Sequence, residues 1–411
     1  MIILAGAGSY RCPAFKRAAV RLGIDLTEAV DVPEPLSSTW KPVLAIDYVD
    51  PDRSARSVAE FAQRTGAVAV LALDDSATLI ASKASSIARL PHNDPVASLA
   101  ARDKLLMRQK LRDFGAPTPW FLAVHASAAA EDLPVEVTFP CVVKPTLLSG
   151  SRGVIRADNP LELQNAFKRV VRILAYQGAD LDTTPILIEE YLPGDEVAVE
   201  AIATSGQVQI LSIFDKPDPL HGPFFEETIY ITPSRHSEAV QSLIQLRTAE
   251  AAAALGIRHG PIHAELRIHH DQAWIIEVAG RSIGGLCSTI LEYGSGKSLE
   301  ELILRNAVGW EVGDARLSNE AVGVMMIPIP RSGVLKSITG EDSAISVPGV
   351  TGLEITAKIN SPIDALPEGS SYLGFIFARG SSPSEVEASL RSAHNRLTIR
   401  IDPLLSMARI A

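Results

Sequence analysis

His263-Ala264-Glu265-Leu266-Arg267-Ile268-His269-His270-Asp271-Gln272-Ala273-Trp274-Ile275-Ile276-Glu277-Val278-Ala279 reads as a β-hairpin with one polar and one apolar face. From His263 to His269 the odd positions are polar and the even ones apolar, the period-two pattern of a half-buried strand. With His270-Asp271-Gln272 as a three-residue turn, Glu265 and Glu277 fall directly opposite each other on the polar face. Opposed side chains lie roughly 4.5–5.5 Å apart at Cβ, and like charges there destabilise a sheet. A hard divalent cation removes that penalty, since Mg²⁺ takes one or two carboxylates together with substrate phosphates. A register one residue out would separate the glutamates and leave two ordinary surface acids.

Just past the hairpin comes Arg281, then Gly284-Gly285, whose backbone can approach a ligand closely. Arg281 suits a developing oxyanion, and suits equally well a surface pairing with a nearby acid. Upstream, Cys141-Val142-Val143-Lys144 is a strand that delivers Lys144 to the Gly/Ser loop 149–154. A lysine beside such a loop fits phosphate binding, where a point charge and backbone N–H groups converge. A strand-terminal lysine reaching to solvent is the plainer alternative. The apolar run 186–188 leads into Glu189-Glu190-Tyr191-Leu192-Pro193-Gly194, either a segment that reads a base edge or a strand end with solvated acids.

Around this centre the 411 residues divide into several units, being too long for one core. Residues 1–91 alternate short apolar strands (2–5, 43–46, 68–73) with amphipathic stretches (13–22, 54–65), which predicts a parallel α/β unit. The run Pro91-His92-Asn93-Asp94-Pro95 is a linker, and one basic helix follows at 96–113 within a connecting segment 92–139. Residues 140–204 form a β-rich unit with a helix at 160–176. Residues 205–315 hold the hairpin and an Ala-rich helix at 248–255, and 316–411 mix strands with a helix that starts at Pro383 after Ser382.

Composition removes several function classes. Charged residues are 21% and apolar ones 46%, ordinary for a folded chain. The net charge of −10 comes without a basic run, which argues against nucleic acid as a partner. Cys12, Cys141 and Cys287 fit neither a disulfide framework nor a metal knuckle. The opening 1–6 reads as a strand rather than a secretory leader, and no apolar run reaches about 20 residues. A cytoplasmic protein without membrane contact is expected. Gly6-Ala7-Gly8 lacks a third glycine, Arg11 standing in its place, and Gly294-Ser295-Gly296-Lys297-Ser298 lacks a P-loop's first glycine at Leu291. His263, His269 and His270 have no partners for a zinc shell, and read as solvent-facing or hydrogen-bonded side chains.

In order, Ala101-Arg102-Asp103-Lys104, Val142-Val143-Lys144-Pro145, 149–154, 189–196, Glu265 and 277–281 resemble the ATP-grasp superfamily, especially its bacterial L-amino-acid and carboxylate–amine ligases. The resemblance implies an α/β fold with α+β elements: an N-terminal parallel α/β domain (1–91), a connecting helical segment (92–139), a lid (140–204), a central antiparallel sheet (205–315) and a C-terminal α+β subdomain (316–411). It implies an ATP-dependent ligase working through an acyl phosphate on small-molecule carboxylate and amine substrates, with Mg²⁺ or Mn²⁺ as cofactor and a homodimer as assembly. Lys104 and Lys144 would hold ATP phosphates, under a loop containing Ser149, Gly150, Ser151 and Gly153. Adenine would meet Glu189, Glu190, Tyr191 and Leu192, and ribose Glu196. Glu265 and Glu277 would hold the metal, and Arg281 would face the acyl phosphate. Asp75, Lys216, Glu227, Gly284 and Gly285 would face substrate. The family's usual asparagine two residues past the second glutamate is Ala279, and Tyr230 replaces a frequent histidine. Biotin-dependent carboxylation and a nucleotide-binding protein without catalysis are the rival readings.

Overall fold

The computed structural model describes residues 1–404 except 33–35, 37, 38, 40–42, 135, 295 and 319. Ser295 of the P-loop look-alike and the end of the expected C-terminal unit (405–411) therefore lie outside the described residues.

The first sheet contains β1 (Ile2–Gly6), β2 (Thr27–Asp31), β3 (Leu44–Ile46) and β4 (Val70–Ala72), all parallel in the order β3-β2-β1-β4. Its helices are α1 (Cys12–Leu22), α2 (Pro51–Thr65) and α3 (Asp75–Ala88). β2 and α3 escape the sequence reading. Thr27-Glu28-Ala29-Val30-Asp31 has little apolar content because only Ala29 in it is buried. The buried face of α3 is built from alanine, serine and threonine around Ile80, which leaves a weak amphipathic signal.

Instead of one helix at 96–113 there are two, α4 (Pro95–Arg102) and α5 (Lys104–Phe114). Asp103 between them is extended (φ −94°, ψ 112°), and its carboxylate accepts from the backbone N–H groups of Leu105 and Leu106. It caps the second helix, and so sets Lys104 on that helix's first turn.

The second sheet, β5 (Phe121–His125), β6 (Cys141–Pro145), β7 (Ile155–Ala157) and β8 (Pro185–Glu190), runs antiparallel in the order β5-β8-β6-β7 under α6 (Pro160–Tyr176). β5 thus recruits part of the segment expected to be connecting and helical. The third sheet begins with β9 (Asp195–Thr204), β10 (Gln207–Lys216), β11 (Ile229–Thr232), β12 (Gly260–His269), β13 (Gln272–Ala279) and β14 (Ala321–Ile327). The C-terminal part adds β15 (Gly333–Thr339), β16 (Val350–Ile355), β17 (Pro362–Ile363), β18 (Gly374–Gly380) and β19 (Thr398–Asp402). Eight antiparallel strands make one sheet, β13-β12-β9-β10-β11-β14-β18-β16, and β17-β15-β19 make a small separate one. The central sheet therefore starts before residue 205 and continues past 315, across both expected boundaries.

Further helices are α7 (Glu238–Leu255), α8 (Leu299–Ala307), α9 (Glu341–Ile345) and α10 (Pro383–His394). α7 begins ten residues before the expected 248, capped by Ser237. One face of the central sheet is apolar: Val197, Val199 and Ala201 of β9 with Ile262, Ala264 and Leu266 of β12 pack against Ile244, Ala251 and Leu255 of α7. The alternate positions turn to the opposite face, which carries the charged side chains described next.

Candidate active site

The hairpin's actual turn is two residues, His270 and Asp271, both left-handed (φ 48° and 56°), with His269 opposite Gln272. That turn alone would set Glu265 against Ile276. A register shift between Glu265 and Leu266 inserts Ile276 as an extra residue, and Glu265 again pairs with Glu277. Two departures from the expected geometry thus cancel, since a bulge moves register by one residue.

On the same face, strand register builds cross-strand charge pairs. His263 lies opposite Glu200, Arg267 opposite Glu196, and Glu196 opposite Lys216. Lys216 Nζ stands among three carboxylates, 2.8 Å from Glu196, 2.5 Å from Glu227 and 3.4 Å from Glu265. Glu196 also accepts from Arg267 Nε at 2.8 Å. His263 Nδ1 is 2.6 Å from Glu200 and its Nε2 3.4 Å from Glu265. Burial opposes the charge of His263, but Glu200 and Glu265 outweigh it and raise its pKa to about 9. Burial likewise opposes ionisation of Glu265, and Lys216 with His263 overcomes it, holding that carboxyl well below its usual range. Glu227, pushed by burial and by Glu265, rises to about 7.

Lys104 and Lys144 approach from other elements. Lys104 Nζ donates to the Leu148 carbonyl at 2.7 Å and lies 3.2 Å from Glu277. Lys144 on β6 pairs with Glu189 on β8, which also takes Arg108 Nε at 2.8 Å and Nη2 at 3.2 Å. Glu189 thus turns to Lys144 and Arg108, and its carboxylate is committed there. Arg281 Nε and Nη2 donate to Asp75 Oδ2 at 3.0 and 2.8 Å, so two groups expected to serve different substrates are ion-paired. Burial would raise Asp75, but Arg281 keeps its carboxyl low.

All these elements enclose a cavity of about 710 Å³. It is lined by Asp75, Lys104, Lys144, Ser149, Gly150, Ser151, 189–192, Glu196, Glu227, Glu265, Glu277, Arg281, Gly284 and Gly285. Lys216 and Gly153 do not line it. Lys216 stands behind Glu196 and Glu227, and Gly153 donates its N–H to the Pro367 carbonyl at 2.9 Å. Glu265 and Glu277, opposed oxygen donors facing one cavity, fit a hard cation, and Ala279 adds no ligand. Among the described residues the carboxylate oxygens of Glu196, Glu227 and Glu265 come within 4.8 Å of one another, around the Lys216 ammonium.

Sequence reading missed Arg11, Arg108, Glu200 and Arg267. Arg108 follows Lys104 by four residues, one helical turn. Arg267 and His263 flank Glu265 at strand spacing, a signal that was present. His263 is buried and bonded to Glu200, the hydrogen-bonded alternative of the two expected. Among the described residues no helix is long and apolar enough to cross a membrane.

Residues 137–290 match the ATP-grasp domain, and residues 325–402 match L-amino acid ligase C-terminal domain 2. The fold is similar to that of an L-amino acid ligase from Bacillus licheniformis, with TM-score 0.82, 27% identity and 98% of each chain covered. In sequence it is 26% identical over 204 residues to a dapdiamide A synthase of Enterobacter agglomerans (49% of this chain, 47% of that one). It is 27% identical over 196 residues to a D-alanine–D-alanine ligase of a Marinomonas species (45% and 57%). The chain spans about half to two thirds of the length of the curated relatives it matches.

Proposed function

We propose that this chain, whose residues 137–290 match the ATP-grasp domain, is an ATP-dependent ligase joining a carboxylate to an amine through an acyl phosphate, on amino-acid-like substrates. The observation that carries the reading is a single cavity onto which Lys104, Lys144, Glu265, Glu277 and Arg281 all open. Lys104 and Lys144 supply the charge that holds ATP phosphates, under the loop 149–154. The backbone at 190–192 meets adenine, since the Glu189 carboxylate is engaged by Arg108 and Lys144. Glu196 keeps acceptor capacity for ribose beside its bonds to Lys216 and Arg267. Glu265 and Glu277 are the residues that would hold Mg²⁺ or Mn²⁺, which when bound supplies neutralisation of phosphate charge.

Arg281 stabilises the charge on the acyl phosphate, and Asp75 fixes the guanidinium's orientation by taking two of its N–H groups. Glu227, Gly284 and Gly285 face the substrates, with Lys216 neutralising Glu227 from behind. An acyl phosphate hydrolyses in water, so closure must exclude solvent; the sheet β5–β8 with its loop 149–154 is the cover. The same reading takes the enzyme to be cytoplasmic. Neither biotin-dependent carboxylation nor inactive nucleotide binding is favoured, because a D-alanine–D-alanine ligase and an L-amino acid ligase are among the more similar relatives and both lysines, both glutamates and Arg281 open on the cavity.

The test is ADP and phosphate release from ATP and Mg²⁺ with a panel of carboxylates and amines. Release is expected only when both a carboxylate and an amine are present. Release that needs bicarbonate and biotin instead, or none with any pair, would sink the reading.

A further inference from the structure

Arg11 follows β1, and Leu73-Asp74-Asp75 follow β4, its neighbour on one side; β2 pairs with β1 on the other. The carboxyl ends of β1 and β4 therefore flank a point where chain order reverses, which is where open parallel sheets bind ligands. Arg11 lines the cavity there. It donates to the Leu73 carbonyl and to the Ser282 hydroxyl, one residue past Arg281. Both partners are neutral. Arg281 has Asp75, Lys104 has Glu277, Lys144 has Glu189 and Arg267 has Glu196. Arg11 has no carboxylate at ion-pairing distance among the described residues. Lys358, the other lining cation without one, is exposed to solvent.

A guanidinium carries five N–H groups, so two protein partners leave it capacity for a planar anion. Burial and the Arg281 charge work against its own charge, and Glu300, Glu200 and Asp74, none of them ion-paired with it, offset only part of that; a bound anion would relieve the remainder. Beside it the cavity wall is aromatic. The Tyr10 and Tyr372 rings each lie 6.4 Å from that of Phe375. Phe375 sits against Gly285, where an added Cβ would fall 2.8 Å from the ring.

We infer that Arg11 holds the carboxylate that the amine-bearing substrate keeps, with that substrate's side chain against Tyr10, Phe375 and Tyr372. The inference rests on the ligase reading. The carboxylate to be activated belongs with Arg281 and the phosphates, so the anion at Arg11, beyond Ser282, is one that stays unreacted. An amine that retains a carboxylate and carries an apolar group is an amino acid with an apolar or aromatic side chain, the α-amino acids being its simplest class.

The experiment is calorimetric titration of the full chain, holding Mg²⁺ and a non-hydrolysable ATP analogue, with L-phenylalanine, L-phenylalaninamide, phenethylamine and succinate. L-phenylalanine is expected to bind roughly 10- to 100-fold tighter than its amide or phenethylamine, the range for losing hydrogen bonds to a charged group. Arg11→Gln, which keeps a donor for Ser282, is expected to erase that preference with the ATP-analogue affinity within about twofold of wild type. No binding of L-phenylalanine, equal binding of amide and acid, or a preference that survives Arg11→Gln would overturn the inference. So would Arg11-dependent binding of succinate alone, which would give the anion to the carboxylate substrate. These titrations involve no turnover. They can therefore fail while amine- and carboxylate-dependent ADP release succeeds, and the converse.

Discussion

Lys144 is held in a buried cluster with Glu189 and Arg108, and its pKa is lowered to about 8 because burial outweighs the pull of Glu189. A base whose folded pKa lies below its ordinary 10.5 sheds its proton as pH rises through about 8. On its proposed role at the ATP phosphates, the charge that Lys144 offers is lost over the same interval. ATP affinity of the metal-free protein is therefore expected to fall between pH 7 and pH 9, and Lys144→Arg, whose charge persists, should flatten that dependence. Equilibrium titration with ATP at several pH values checks this, and a wild-type affinity independent of pH would remove Lys144 from the phosphate site. The sign for stability is opposite. The unfolded chain binds more protons than the folded one between about 8 and 10.5, so Lys144 makes the fold gain stability across that interval. At this scale much was legible: Lys144, Glu265, Glu277 and Arg281 stand on the cavity as strand and loop positions suggested. Arg11 was not. In the sequence it only interrupts a glycine fingerprint, and its meaning depends on Leu73 and Ser282, which are distant in sequence.

Asp103 decides where Lys104 points. Its carboxylate accepts from two backbone N–H groups of α5, and its extended conformation turns the chain between α4 and α5. Asp103→Ala is expected to cost about 1 kcal/mol of stability, the usual value of an N-cap, and to weaken ATP binding beyond that by loosening Lys104. Asp103→Asn, a good cap, should restore most of both. Urea melts beside ATP titrations separate the effects; unchanged ATP affinity in Asp103→Ala would mean that Lys104 is held by its contacts with Leu148 and Glu277 alone. Periodicity could not resolve this break, because the apolar stripe continues from α4 into α5 and a single Asp is an ordinary helix residue. The hairpin teaches the same lesson. A two-residue turn and a bulge together give the pairing that a three-residue turn would give without one, so Glu265 and Glu277 were correctly opposed for the wrong local reason.

Across the whole molecule, the β5–β8 unit meets the C-terminal part beside the cavity, which Gly150 and Ser370 both line. Gly153 donates to the Pro367 carbonyl at 2.9 Å, and Arg169 forms a paired contact with Glu368 at 2.7 and 2.9 Å. Gly150, with φ 62°, lies where a Cβ would fall 3.1 Å from both the Cβ and the carbonyl oxygen of Ser370. Composition and motifs located the loop 149–154, but no local pattern shows that 366–371 would be its counterpart some 200 residues later. Gly150→Ala adds left-handed strain and a contact that the Ser370 backbone cannot easily yield. If the loop 149–154 is the proposed cover, the cost falls on its closed arrangement, so kcat/KM for ATP is expected to drop about tenfold, as roughly 1–2 kcal/mol of strain would require. The melting temperature should change little if the strain is escaped by opening. Arg169→Ala serves as the control: its half-exposed pair contributes at most about 1 kcal/mol, so a much smaller kinetic effect is expected. Ser370→Gly removes one of the two close atoms and should recover part of the loss when combined with Gly150→Ala, because residues in contact couple. Steady-state kinetics with thermal melts on the single and double variants is the measurement. A fall in melting temperature with unchanged kcat/KM would show that this contact stabilises the fold without covering the reaction.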